Sequence, residues 1–324
     1  MIKKNDFIDV LDANKQLDLF GYDEHFKHFT DLYDNKKLPN SILLNGQKGL
    51  GKSTFAYHLI NYILSKNEKN KYDTQNFKIN LNNPSYKLIN MNSHPNFFLI
   101  ENINNEKDIK IDQVRNLIKF VSKSTYRNNI KLILIDNAEN LNLSSSNAIL
   151  KILEEADNNT FFFIVHDSSF KILETIKSRC FEFKFFFTKN EKEKIFNKIN
   201  INSNYQLDLK YLKNNFFFET PGNVIKYFIS LKNSNIDLYD DNLQNISYFI
   251  NKYKKDKSIE NLSHLSLFVE KFYHNLCSFN LKRSNSLFFN YIRIIKEINN
   301  MKKFNLYSAN TFAQIEDILK NEKK

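Results

Sequence analysis

Residues 46–54 read GQKGLGKST, which has the spacing G-x-x-x-x-G-K-[ST]. That spacing belongs to a loop that holds phosphate. Glycines open backbone conformations closed to other residues and let amides come close to an anion. Lys52 would place its ammonium on the β- and γ-phosphates, and the Ser53 hydroxyl would ligate Mg2+. Thr54, next in line, belongs to the same binding set. The chain has only 5 glycines, and Gly46, Gly49 and Gly51 put three of them here. A second candidate is Asp136, at the carboxyl end of the apolar run Leu132 to Ile135. A carboxylate there, paired with a phosphate loop elsewhere, reads as the Walker B aspartate that helps hold Mg2+. A helix cap or turn aspartate is the competing reading.

The elements that must position these residues are also visible. Ile42-Leu43-Leu44 reads as a short buried strand, and Phe55, Leu59, Ile60 and Ile63 recur at helical spacing behind the loop. Strand, loop and helix in that order give the motif its context, because a helix N-terminus adds its own attraction for anions. Leu132 to Ile135 is a continuous apolar run that includes β-branched residues, as in a parallel strand buried on both faces. Ser144 is a candidate helix N-cap, with a stripe at Ile149, Ile152 and Leu153 behind it. Thr160 to Val165 reads as another buried strand, and IKSRCFEFKF (176–185) leads into a further one.

Composition narrows the class. At 324 residues, with 42% hydrophobic residues, the chain is long enough for two or three domains with proper cores. Its 2 cysteines have no spacing that suggests a disulfide framework or a zinc site, so a reducing cytosol is the default. No apolar run has the length of a membrane span, and the N-terminus lacks a signal-peptide core. The expectation is a cytoplasmic protein without a membrane partner. The net charge of +11 fits a preference for polyanions. An A+T-rich coding sequence, whose codons favour Lys, Asn, Ile, Phe and Tyr, accounts for it equally well.

The order of phosphate loop, HPNFFLIE (94–101), IKIDQVRNLIKFVS (109–122), LILIDNAENL (132–141), SNAILKILEEA (146–156), FFFIVHDSS (161–169) and IKSRCFEF (176–183) resembles the AAA+ clamp-loader subunits of bacterial DNA polymerase III. Within that group the HPNFFLIE segment, followed by the helix of Asp112, is most similar to the delta-prime type. The resemblance covers roughly residues 17 to 187. It implies an α/β fold: an AAA+ P-loop domain with a parallel sheet flanked by helices (1–187), a small helical lid (188–235) and a C-terminal helical collar domain (236–324). It implies other clamp-loader subunits (gamma/tau and delta) as partners, and contact with the sliding clamp and primed DNA through the complex. It implies ATP with Mg2+ as the cofactor. In Ser178-Arg179-Cys180, Arg179 corresponds to the finger that reaches a neighbouring subunit's ATP.

The departures bear on mechanism. AAA+ ATPases place a glutamate after the Walker B aspartate to activate water, and this chain has Asn137, an amide that cannot accept the proton. Glu139, two residues on, is expected to point elsewhere. The polar residue expected at the end of the Thr160 to Val165 strand maps onto Val165 or His166. The lid arginine maps only near Lys226. Many relatives carry a four-cysteine zinc module, but residues 65–93 contain no cysteine, so no zinc site is expected. The loop therefore reads as able to bind nucleotide, with incomplete machinery to hydrolyse it. That fits a delta-prime subunit that supplies a finger in trans. The alternative is a self-sufficient AAA+ ATPase of the gamma/tau type.

Overall fold

The computed structural model describes residues 12–102, 108–123, 130–202, 219–226, 242–279, 283–304 and 309–322. They fall into two compact units, Met1–Lys226 and Tyr227–Lys324.

The first unit is built on a five-stranded sheet, β1 (Ser41–Gly46), β2 (Phe97–Ile100), β3 (Lys131–Ile135), β4 (Thr160–Asp167) and β5 (Phe181–Lys184). Every pairing is parallel and the order is β2-β3-β4-β1-β5. Parallel strands need crossovers, and here these carry α2 (Lys52–Ser65), α3 (Pro84–Asn90), α4 (Ile111–Ser122), α5 (Leu143–Glu155) and the short α6 (Glu174–Lys177), while α1 (Asp23–Asp34) precedes β1 and α7 (Lys189–Asn202) follows β5. Successive strand residues point to opposite faces, and both faces are covered. Ile42 and Leu44 join Leu132, Leu134, Phe163 and Val165 under α1 and α2, where Phe26, Phe29, Phe55 and Leu59 are buried. Leu43 joins Ile133, Ile135, Phe162 and Ile164 on the other face, under Val114 and Leu117 of α4 and Ile149 and Ile152 of α5. That explains why these strands read as unbroken apolar runs. Each such side chain contributes about 1.5–3 kcal/mol on burial, which fixes the strand ends that carry the polar residues.

Two sequence expectations shift. The fourth strand runs to Asp167, two residues past Val165, because the ladder with β1 continues through Asn45 opposite His166 and Gly46 opposite Asp167. The cap of α5 is Asn142, not Ser144: the Asn142 side chain accepts from the Ser145 amide at 2.8 Å. Ser144 lies within the first turn, with its side chain exposed.

Between α2 and β2, residues 66–96 bury Tyr72, Phe77, Ile79, Tyr86 and Ile89 in the core and add polar contacts. Glu68 accepts from the Ser85 hydroxyl at 2.7 Å and from the Asn83 side chain at 2.6 Å. Asn83 caps α3 by accepting from the Tyr86 amide at 2.6 Å. The Ser85 hydroxyl also lies 3.2 Å from His94 Nε2.

The boundary expected at residue 187 lies inside this unit. In α7, Ile195 and Phe196 are buried, and Lys192 Nζ donates to the Glu219 carbonyl at 2.9 Å. Residues 221–226 are helical. Of the expected lid, residues 203–218 and 227–235 lie outside the described residues.

The second unit holds α8 (Asn242–Asp256), α9 (Ile259–Phe279), α10 (Ser284–Phe304) and α11 (Ala309–Glu322). Leu262, Leu265 and Phe268 are fully buried, as their helical stripe predicts; the Ile259 side chain lies outside the described residues. Phe249 stacks on Phe268 at 5.4 Å between α8 and α9. No helix among the described residues is long and apolar enough to cross a membrane.

Candidate functional site

The loop after β1 occupies the carboxyl edge of the sheet, and α2 begins at Lys52. Gly49 and Gly51 sit at φ +85° and +77°, in the left-handed region that costs other L-residues roughly 1–2 kcal/mol. Gly51 needs glycine for its backbone alone, since an added Cβ would meet nothing within 4 Å.

The carbonyls of the loop from Gly46 to Gly51 all accept hydrogen bonds. Lys52 Nζ donates to the carbonyls of Gly46 at 2.6 Å and Gln47 at 2.7 Å. The carbonyl of Lys48 accepts from Thr220 Oγ1 at 2.8 Å, that of Gly49 from the Gly222 amide at 2.9 Å, and that of Leu50 from the Tyr22 hydroxyl at 3.0 Å. The Gly51 carbonyl accepts from the Phe55 amide at 2.9 Å. The amides of residues 48–54 form no hydrogen bond with any described residue. A run of free amides at a helix start is a ready anion nest.

The charged residues expected there are brought together. Ser53 Oγ donates to Asp136 Oδ1 at 2.8 Å, so the two expected Mg2+ ligands stand side by side, one from α2 and one from the end of β3. Burial raises the Asp136 pKa; the bonds from Ser53 and from the Asn137 amide oppose it. Lys52 is 5% exposed. Burial lowers its pKa, while the carboxylates of Asp167, Glu139 and Asp136 pull the other way. A cation and a carboxylate–hydroxyl pair beside free amides fit a nucleotide phosphate with Mg2+.

Asn137 holds φ +56° and ψ +56°, and its amide donates to Asp136 Oδ1 at 3.0 Å. Glu139 does not point away from the site. Its carboxylate accepts from the Asp167 amide at 3.0 Å and acts electrostatically on Lys52, Asp136 and His166. The 3-10 turn at Ala138–Asn140 folds it back across the strand ends.

Of Val165 and His166, Val165 packs into the core and His166 belongs to the polar cluster. His166 Nδ1 lies 3.1 Å from Asn45 Oδ1, while Nε2 is buried without a partner among the described residues. Burial lowers its pKa. Asn45 in turn donates to Glu182 Oε1 at 2.7 Å. Lys226 is exposed at the end of the 221–226 turn.

Arg179 is exposed and leaves the loop alone. Its Nε donates to Glu154 Oε1 at 2.6 Å and one terminal nitrogen to the Thr175 carbonyl at 3.0 Å. It makes no hydrogen bond to residues 46–54.

Sequence reading missed Tyr22, Thr220 and Gly222. Only the Pro221-Gly222 pair carries a local signal, and it announces a turn rather than a contact.

A sequence model of the family described as "DNA polymerase III, delta subunit" matches residues 21–188, just over half of the 324 residues. The chain is 32% identical over 141 residues to the DNA polymerase III subunit delta' of Pseudomonas aeruginosa, covering 44% of this chain and 41% of that protein. It is 31% identical over 160 residues to the subunit of the same name from Buchnera aphidicola subsp. Schizaphis graminum, covering 49% and 46%. The aligned region thus spans less than half the length of these relatives. Among solved structures, a DNA polymerase III gamma subunit-related protein from Thermotoga maritima has a similar fold, at a TM-score of 0.51 and 15% identity, covering 91% of this chain and 99% of that one.

Proposed function

The chain belongs to the DNA polymerase III delta-subunit family, and from that premise we propose that it works as a delta-prime-like subunit of a clamp loader, binding nucleotide without turning it over efficiently and lending Arg179 to a neighbour. The observation that carries the reading is the contrast at the strand ends. Free amides, Lys52 and the Ser53–Asp136 pair are assembled for a phosphate with Mg2+. The position after Asp136 holds an asparagine in a left-handed turn.

ATP with Mg2+, where bound, supplies the anionic phosphates such a nest takes. Lys52 then trades the carbonyls of Gly46 and Gln47 for phosphate oxygens. Asn137 orients a water but takes no proton from it. Arg179 serves in trans. Its contacts lie on α5 and α6 and its side chain is exposed, which supports a role outside its own loop. There a cation stabilises transferring phosphate. The partners are the gamma/tau and delta subunits, with the sliding clamp and primed DNA reached through the complex, in the cytoplasm.

A self-sufficient ATPase of the gamma/tau type is the second reading. Glu139 favours it, as a carboxylate close enough to act on both Lys52 and Asp136.

The test uses the reconstituted clamp loader. Arg179→Ala lowers DNA- and clamp-stimulated ATPase severalfold, with the complex intact by gel filtration. Unchanged turnover in an intact complex overturns the finger assignment. For the isolated chain, calorimetry should give an ATP dissociation constant that rises tenfold or more in Lys52→Ala, since a charge-assisted contact contributes about 1.5–3 kcal/mol. Brisk ATPase by the isolated chain that disappears in Glu139→Gln selects the second reading.

A further inference from the structure

We propose that Tyr22, Thr220 and Gly222 are positioning residues for phosphate binding, acting from outside the loop to keep its amides turned inward. The inference rests on the nucleotide-binding reading and extends it to residues that touch no phosphate.

A glycine-rich loop has little of its own to hold one orientation. Each peptide unit can rotate, and a rotated unit presents a carbonyl where an amide should be. An anion site made of peptides therefore depends on what fixes the opposite end of each peptide. In this chain the consecutive carbonyls of Lys48, Gly49 and Leu50 are fixed by three donors from distant sequence: Thr220 Oγ1 at 2.8 Å, the Gly222 amide at 2.9 Å and the Tyr22 hydroxyl at 3.0 Å. The peptides they hold carry the amides of Gly49, Leu50 and Gly51. Both side-chain donors are buried, Tyr22 at 3% and Thr220 at 3% exposure.

The close approach is built in on both sides. A Cβ on Gly222 would lie 2.7 Å from the Gly49 carbonyl oxygen, and a Cβ on Gly49 would lie 2.3 Å from Thr220 Oγ1. The glycine at 222 thus serves the loop, since only a residue without a side chain lets its amide reach Gly49. Lys52 secures the carbonyls of Gly46 and Gln47 on the near side, but it must leave them to meet a phosphate. The three outer donors have no such second task, so they can hold the loop in both states.

The experiment measures binding of ATP and of inorganic pyrophosphate to the full chain by calorimetry. Tyr22→Phe and Thr220→Val each remove a single hydroxyl-derived hydrogen bond at nearly constant volume. Each should raise both dissociation constants about 3- to 10-fold, and by the same factor for the two ligands, because the defect lies in the phosphate loop and not at the base. Thr220→Ser restores the hydroxyl and should restore affinity. Gly222→Ala should weaken both ligands more than either.

Thermal melting of each variant separates loss of fold from loss of binding. Wild-type affinity in folded Tyr22→Phe and Thr220→Val overturns the inference and leaves the nucleotide reading standing. Loss of ATP binding with pyrophosphate binding intact overturns it too, by assigning these residues to the base. Failure of the wild-type chain to bind either ligand overturns both readings.

Discussion

At Asn137 one backbone angle bears on both stability and chemistry. Asparagine is among the few side chains that tolerate φ +56°, and the turn it makes lets Glu139 fold back onto the Asp167 amide. Installing the glutamate that AAA+ ATPases carry there would put a longer side chain into the left-handed region. Asn137→Glu should therefore lower the unfolding free energy by about 1 kcal/mol, and Asn137→Gly should leave it equal or higher; urea unfolding of the three proteins measures both. An Asn137→Glu protein as stable as wild type would contradict that account. Lys52, Ser53 and Asp136 were legible in the sequence because their chemistry is written in short spacings next to apolar runs. Glu139 was misjudged because a strand-to-turn junction, not the local sequence, decides where it points. Tyr22 and Thr220 were invisible for a related reason: an ordinary tyrosine and an ordinary threonine become specific only when the fold brings them to Leu50 and Lys48.

Among the elements, those with strong periodicity were legible and their ends were not. The apolar runs at 42–44, 132–135 and 160–165 are strands because both faces of a parallel sheet need cover, and that demand shows in composition. The end of β4 depends on how far β1 runs beside it, which no window of β4 alone contains. The cap of α5 lies two positions before Ser144, the cap that the sequence suggested. Asn142 is the cap because its side chain accepts from the Ser145 amide at 2.8 Å, while Ser144 already lies inside the helix with its side chain exposed. Asn142→Ala should cost about 1 kcal/mol, and Ser144→Ala should change stability by no more than about 0.5 kcal/mol. Thermal or urea unfolding decides between them, and a larger effect at Ser144 would return the cap to that residue.

For the whole molecule, His58 ties stability to pH. It is fully buried in α2, with Nδ1 2.8 Å from the Tyr72 hydroxyl, and burial brings its pKa from 6.5 down to about 3. Between those values the unfolded chain binds a proton that the folded chain refuses. Stability is therefore full above about pH 6.5 and falls as pH drops towards 3, by up to about 1.4 kcal/mol per pH unit for one proton. Urea unfolding near pH 7, 6 and 5 should show this slope in the wild type and a shallower one in His58→Gln; equal slopes would clear His58 of the effect. The arrangement of the sheet carries one more consequence, in the time domain of synthesis. The first strand made, β1, lies between β4 and β5, and Leu43 must meet Ile164, 121 residues later (164 minus 43). At about 5–20 residues per second, the ribosome leaves that apolar strand without neighbours for roughly 6–24 s. Any nascent chain stopped before residue 160 presents both edges of β1 to whatever else is in the cell.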